Sequence, residues 1–247
     1  MTQDIIADKA HYESLWSGTW KAMHSIGPLT RTRYRLIMEA IAPFAGRAQT
    51  VLDVGCGDGR LLAAICLAYP HLSATGLDFA EAAFENAPFS IRPYLRLADL
   101  EKPVLLEARY DLVICSEVLE HIDAYGVVLK TLIDSCAHSG IIVITVPQGM
   151  QHWGRSDIYA GHLRRFEFQA FREELLHLGL ELLSYRTWGS AIGRIYFNLT
   201  HNMNQSVLQR KSVIRAAIAS VLYNAMKLDD FNHGNAWHQL VVVARNP

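Results

Sequence analysis

The sequence predicts an α/β fold, a doubly wound and mostly parallel sheet, on three observations. From Thr50 to about Val146, short apolar runs alternate with stretches of helical composition, the order that builds a parallel sheet with helices on both faces. Runs such as Asp111-Leu112-Val113-Ile114-Cys115 and Ile141-Ile142-Val143-Ile144 are continuously apolar, as strands buried on both faces are. Thr50-Val51-Leu52-Asp53-Val54 feeds directly into Gly55-Cys56-Gly57-Asp58-Gly59, a strand-to-helix turn rich in glycine. The 247 residues suit one large domain or a domain with a cap, and 51% apolar residues are enough for a sizeable core.

Residues 4–45 read as helical, with Tyr12, Trp16 and Trp20 on one face by their four-residue spacing. That face is a packing stripe, or a lid over the mouth of a site; both can hold together. Strands are expected at 50–54, 73–78, 93–98, 110–115 and 140–146, and helices at 59–69, 80–86 and 124–137. Pro147 ends the fifth strand, because it has no N–H to donate. A loop from Gln148 to Leu163 leads to a helix at about 167–178 and a strand at 180–187. Residues 190–232 read as an insertion with helical stretches, in which Val207, Ile214, Ile218, Val221 and Leu222 make an apolar stripe. The last strand is expected at 238–243.

Composition narrows the function classes. The chain carries 23 Lys+Arg against 24 Asp+Glu, for a formal net charge of −1. Basic residues are scattered apart from the run Arg31, Arg33, Arg35, so no nucleic-acid face is expected. Cys56, Cys66, Cys115 and Cys136 show no Cys-x-x-Cys spacing, which argues against a zinc site or a disulfide framework. Met1-Thr2-Gln3-Asp4 lacks the basic start of a signal peptide, and no stretch approaches about 18 uninterrupted apolar residues. A soluble, cytoplasmic protein with no membrane partner is the expectation.

The glycine spacing selects the ligand. A dinucleotide loop needs Gly-x-Gly-x-x-Gly to frame a pyrophosphate. Here the spacing is Gly55-x-Gly57-x-Gly59, and Arg60 stands where the third glycine would be. Asp53 lies two residues before the first glycine. Asp53-x-Gly55-x-Gly57-x-Gly59, between an apolar strand and an apolar helix, resembles the first motif of the class I S-adenosylmethionine-dependent methyltransferases, small-molecule type. The resemblance covers residues 50–146 by motif and runs more loosely to the final strand. It implies a Rossmann-like methyltransferase fold: a mostly parallel seven-stranded sheet whose last two strands form a hairpin, with N-terminal helices and a helical insertion before the last strand. As a single domain over 1–247, residues 1–45 would be a helical lid, 50–146 the cofactor-binding core, and 190–232 a substrate cap or dimer element.

The cofactor implied is S-adenosyl-L-methionine, held by Asp53, Gly55, Cys56 and Gly57 in the loop. The second strand ends in Asp78-Phe79. An acidic residue about 20 positions past the loop is placed to accept from two ribose hydroxyls. The alternative for Asp78 is a helix N-cap; Phe79 would pack on adenine. The resemblance implies that Asp99 accepts from the adenine amino group, with Leu100 beside the ring, against the alternative of a turn residue. Backbone at Ser116 would line the methionine side, and one of Arg31, Arg33 and Arg35 is placed to reach the cofactor carboxylate.

Ser116-Glu117-Val118-Leu119-Glu120-His121-Ile122 follows the fourth strand, beside the methyl. The expected catalytic residues are His121 as general base, Glu117, and His162 from Gly161-His162-Leu163-Arg164-Arg165-Phe166. Glu117-x-x-Glu120-His121 is also similar to a pattern in ubiquinone-pathway O-methyltransferases and small-RNA 3′-terminal 2′-O-methyltransferases. There, carboxylates and histidines hold a divalent ion; His162, then His152, would supply a further ligand here. The spacing around His162 departs from both groups, and no metal ligand is assigned. The expected function is methyl transfer from S-adenosylmethionine to an oxygen or nitrogen of a small metabolite. The alternatives are a metal-assisted RNA 2′-O-methyltransferase, a non-catalytic methyltransferase-like protein that binds a partner through 190–232, and, last, a dinucleotide oxidoreductase. The loop with His152, Trp153 and Tyr159 and the insertion with Tyr196 and His201, with Trp237 nearby, would shape the pocket, and a homodimer through the 207–222 stripe stays open.

Overall fold

The computed structural model describes residues 9–18, 20, 27–189, 191–201, 213–228 and 238–247. Val207 and Trp237 lie outside the described residues, as do the side chains of Ile214 and His201. Helices α1 (Lys9–Ser17) and α2 (Pro28–Ala45) lead in. Proline opens α2 in its first turn, where the missing N–H would have had no intrahelical partner. The alternating core follows: β1 (Thr50–Val54), α3 (Arg60–Ala68), β2 (Ser73–Asp78), α4 (Glu81–Glu85), β3 (Leu95–Leu97), β4 (Tyr110–Ser116), α5 (Gly126–Ser135) and β5 (Cys136–Pro147). The chain continues through α6 (Arg155–Ala160), α7 (Phe168–His177), β6 (Glu181–Trp188), α8 (Ala191–His201), α9 (Val213–Leu228) and β7 (Gln239–Arg245).

Seven strands form one sheet in the order β3-β2-β1-β4-β5-β7-β6. The first five are parallel, and β7 runs antiparallel to both β5 and β6. The chain builds outward from β1 to β3 and then returns to β4 on the other side. That reversal leaves a crevice beyond the carboxyl ends of β1 and β4, where open α/β sheets bind ligands.

Period-2 alternation divides the strands between two cores. Val51, Leu112, Ile114, Val143 and Val241 pack with α2 and α3 on one face. Leu52, Val113, Cys115, Ile142 and Val242 pack with α5 and α7 on the other. All four cysteines are free. Among the described residues no helix is long and apolar enough to cross a membrane.

Two strand starts and an apolar stripe depart from the sequence expectation. β3 starts at Leu95 rather than 93, because Pro93 sits in a tight helical turn over Arg92–Tyr94 and cannot donate to a ladder. β5 starts at Cys136, where a helix was expected to continue to 137. The β4–β5 register jumps between Tyr110/Leu112, and Ser139 takes a left-handed φ of 61°, so residues that read as helical form an irregular strand entry instead. The 207–222 stripe does not act as one face: Ala219 and Met226 are buried and Leu222 packs on the core, while Ile218 and Val221 are exposed.

Candidate active site

The glycine loop is tied to the end of β2. Gly55 and Cys56 both donate their N–H groups to the Leu77 carbonyl, at 2.7 and 2.9 Å. Gly57 N–H donates to Asp78 Oδ2 at 2.7 Å, and Ala80 N–H to Asp78 Oδ1 at 2.9 Å. Glycine is needed here on two counts. Gly55 and Gly57 have φ of 77° and 53°, and a β-carbon would run into Val118 at the first and into the Trp16 indole at the second. The Cys56 thiol points beneath the loop against Gly76, so only its backbone faces outward. Asp78 is buried, which raises its pKa, while the N–H groups of Ala80 and Gly57 oppose that rise. Each carboxylate oxygen has accepted one bond, so lone pairs remain for a diol.

Beside it, Asp53 is 1% exposed and its Oδ2 has no hydrogen-bond partner among the described residues. Burial, then the charge of Asp78, push its pKa up to about 7, and Arg33 pulls the other way. Asp99 is exposed and accepts from Lys102 Nζ (2.6 Å) and Glu101 N–H (3.1 Å), a turn arrangement. Leu100 is buried.

Past β4 the backbone turns sharply. Glu117 adopts a left-handed φ of 57°, which costs a non-glycine residue about 1–2 kcal/mol. Its Oε1 accepts from Thr145 Oγ1 at 3.0 Å and its Oε2 lies 3.4 Å from Arg33 Nη1. Thr145 also bonds Ser116 Oγ. Of the three N-terminal arginines only Arg33 approaches this turn; Arg31 bonds Ser220 and Arg35 bonds Glu39.

The loop after β5 is stitched onto this turn. Leu163 N–H donates to the Glu120 carbonyl and Arg164 to the Ile122 carbonyl, each at 2.7 Å. His162 thereby meets His121 with ring centroids 4.7 Å apart, edge to face. Both Nε2 atoms lie 3.9 Å from Glu120 Oε1. Glu120 is fully buried, neither carboxylate oxygen has a hydrogen-bond partner among the described residues, and burial, then the charge of Glu117, raise its pKa far above the usual range. The other ring nitrogens are fixed: His121 Nδ1 to Tyr12 Oη at 2.7 Å, and His162 Nδ1 to Asp157 Oδ1 at 2.8 Å. Burial, then His162, hold His121 neutral well below its ordinary pKa. Asp157 also takes two bonds from Arg165, at 2.9 and 3.1 Å. Burial opposes ionisation of Asp157, but the bonds from His162 and Arg165 outweigh it and hold its pKa at about 2.

Glu120, His121 and His162 offer one ligand atom each, all within 4.8 Å of one another. Two imidazoles and a carboxylate suit a divalent transition metal, and buried oxygens without partners are what such a site leaves bare. The outer bonds to Tyr12 and Asp157 fix both rings as metal-ligating histidines are fixed. His152, the other candidate ligand, is outside this cluster.

Helix α1 covers the crevice. Trp16 rests on Gly57 and joins Ala80 and Ala83 in a small core, and Tyr12 packs edge-on against Phe79 at 5.5 Å. The Glu13 carboxylate caps α4, accepting from the N–H groups of Glu81 (3.0 Å) and Ala82 (2.9 Å). Sequence reasoning singled out the aromatic stripe but missed Glu13, Asp157, Thr145 and the bond from Tyr12 to His121. Only Asp157, five residues before His162, left a local signal.

A family profile described as a methyltransferase domain matches residues 29–185. An uncharacterized methyltransferase of Mycobacterium tuberculosis is 34% identical over 104 residues, 40% of this chain and 50% of that protein. A ubiquinone biosynthesis O-methyltransferase of Nitrosomonas europaea is 34% identical over 144 residues, 56% of each. The chain spans about half the length of the curated relatives it matches. Among solved structures, the N-methyltransferase NodS from Bradyrhizobium japonicum with S-adenosylhomocysteine aligns with a TM-score of 0.55 at 16% identity, covering 89% of this chain and 88% of that one. The [4+2]-cyclase SpnF aligns with 0.61 at 17%, covering 88% and 83%. At these identities the likeness is one of fold.

Proposed function

Since the chain belongs to the class I S-adenosylmethionine-dependent methyltransferase family, we propose that this enzyme moves the methyl of S-adenosylmethionine onto an oxygen or nitrogen of a small metabolite. The observation that carries the reading is Asp78. It is a buried carboxylate latched to the glycine loop through Gly57 N–H, with acceptor capacity left for a ribose diol. Phe79 and Leu100 flank the adenine, and Arg33 and Ser116 stand toward the methionine end. Asp99 accepts from Lys102 and from Glu101 N–H, and each oxygen keeps a lone pair for the adenine amino group.

Transfer is an in-line displacement: the acceptor's lone pair forms the new bond to carbon as the carbon–sulfur bond breaks and its electrons return to sulfur. The chain's main work is to align the acceptor and exclude water, which removes several kcal/mol of barrier. Helix α1 serves as the lid, with Tyr12 and Trp16 closing over the loop. A proton on the acceptor passes to His162, whose Nδ1–H is held by Asp157 so that Nε2 keeps its lone pair. His121, kept neutral, completes the wall. Glu117 holds Arg33 and Thr145 and so acts through position.

The Glu120, His121 and His162 cluster supports a second reading, O-methylation assisted by a divalent ion. Those three residues would hold it, and it would supply Lewis acidity that favours ionisation of a hydroxyl acceptor.

Calorimetry with S-adenosylhomocysteine tests the main reading. The expected result is saturable binding at one site, weakened more than about tenfold by Asp78→Asn, because an amide in place of the carboxylate turns an N–H toward one of the two backbone donors, Gly57 or Ala80. Folded protein with no affinity for this nucleoside refutes it.

A further inference from the structure

We propose that Gln239 and Trp188 form a distal subsite that takes a neutral amide or lactam group of the substrate, about 10–14 Å from the methyl-accepting atom by strand spacing. The inference rests on the methyl-transfer reading above, because it concerns the far end of the same acceptor site.

Gln239 is the first residue of β7 and stands in register between Pro147 of β5 and Trp188 of β6. It shares a sheet face with Val241 and Val243, which pack in the core below α2. It is 1% exposed, yet among the described residues neither Nε2 nor Oε1 has a hydrogen-bond partner. Trp188 is 3% exposed, and its Nε1–H likewise has no acceptor among the described residues. Arg33 Nε is a third buried donor without a partner among the described residues. Buried polar groups are nearly always paired, and a carboxamide with both ends bare is among the costlier exceptions. A leucine would fill the same space without that cost, so the amide needs a reason outside the fold.

Position supplies the reason. One row along the sheet, Ser116, Thr145 and Val241 stand side by side in register. Ser116 and Thr145 belong to the polar chain that reaches Glu117 and Arg33. Gln239 and Trp188 extend that polar wall by two and three strands from β4, where the methyl acceptor sits. The chemistry of the pair identifies what it receives. A carboxamide offers both donors and an acceptor, and an indole offers one donor, none of them charged. The Arg33 guanidinium, on α2 above this face, already lies against Glu117. The complement is therefore an uncharged group that presents N–H and C=O side by side. Tyr196 and Leu222 pack on the same face and would line the apolar stretch between the two ends.

Two measurements on the full chain saturated with S-adenosylhomocysteine test the subsite. In thermal unfolding, Gln239→Leu removes a buried polar group without partners and keeps its volume, so the midpoint rises by about 2–4 °C; a lower midpoint means the fold itself satisfies the amide and overturns the proposal. In NMR, the Trp188 indole N–H resonance, identified with Trp188→Phe, is followed during titration with 2-pyrrolidinone or cyclopentanone. The lactam is expected to shift it saturably, the ketone to act about tenfold more weakly, and Gln239→Leu to abolish the difference. A silent indole, or equal response to the two probes, overturns the subsite. Calorimetry on the same samples separates the two readings: absent S-adenosylhomocysteine binding sinks methyl transfer, whereas normal binding with a silent indole sinks only the subsite.

Discussion

Asp53→Asn is expected to stabilise the protein at alkaline pH and to do little in acid. The carboxyl lies near the end of β1, 1% exposed, with one oxygen lacking a partner among the described residues. Burial, then the charge of Asp78, raise its pKa from 3.8 to about 7, with Arg33 opposing. A carboxyl with a raised folded pKa binds its proton more tightly in the native state than in the unfolded chain. Its contribution is therefore complete below the unfolded value of 3.8 and is lost as pH rises through about 7. The rise from 3.8 to about 7 corresponds to a ceiling of about 4 kcal/mol. Asparagine keeps the shape and never ionises. Urea midpoints from pH 4 to 8.5 should show wild type and variant close together in acid, with the variant pulling ahead by up to that ceiling above neutrality. For a chain of this size, each kcal/mol is worth about 2–4 °C in the thermal midpoint. A stability difference that does not change with pH, or one that moves toward wild type as pH rises, refutes the reasoning. The same carboxyl should release a proton when a cationic cofactor binds, read near pH 6.5 as a dependence of binding heat on buffer ionisation enthalpy.

Gly57→Ala should cost about 1–2 kcal/mol from the positive φ and abolish S-adenosylhomocysteine binding, because its β-carbon meets Trp16; calorimetry showing unchanged affinity would contradict the closeness of that packing. Asp157→Asn leaves Arg165 buried without its counter-charge and should cost about 3–5 kcal/mol in urea unfolding at pH 7. The Asp157 contribution is present above its unfolded pKa near 4 and is lost as pH falls toward about 2, so the two proteins should converge in strong acid. Manganese or zinc should raise the thermal midpoint of wild type but not of His162→Ala or Glu120→Gln; no response in wild type ends the metal reading.

The sheet was legible because its strands are buried on both faces and carry unbroken apolar runs, such as Leu112–Cys115 between two turns. Loop residues were legible where backbone geometry demands a residue type, as at Gly55 and Gly57. Edges were less so: Pro93 and the Ala137–Gly140 stretch have local compositions that tertiary pairing overrides. In the candidate site, a single carboxyl such as Asp78 announces itself by following a strand. Asp157 and Tyr12 do not, because what gives them a role is a partner fixed by the fold. Tyr12 reaches His121 across 109 residues of chain. No periodicity records such a contact. The apolar stripe of α9 misled for the opposite reason. Helical spacing groups Ile218 and Val221 with Leu222, yet Ile218 and Val221 are exposed while Ala219, Leu222 and Met226 turn inward.

Glu117 joins the halves of the site. Its left-handed backbone turns the chain off β4 so that Val118 lies against Gly55, and nothing larger than glycine fits there. The same turn carries Glu120 and His121 back toward the crevice, where the loop after β5 delivers His162. The strain is offset by bonds that only the folded state offers: Thr145 from β5 and Arg33 from α2 converge on the one carboxylate. A glycine at 117 would relax the backbone but release both partners. The glycine loop and the histidine cluster would then lose the residue that sets their spacing, although neither touches its carboxylate. A side chain with no part in bond making can therefore be as necessary to alignment as the groups that face the methyl.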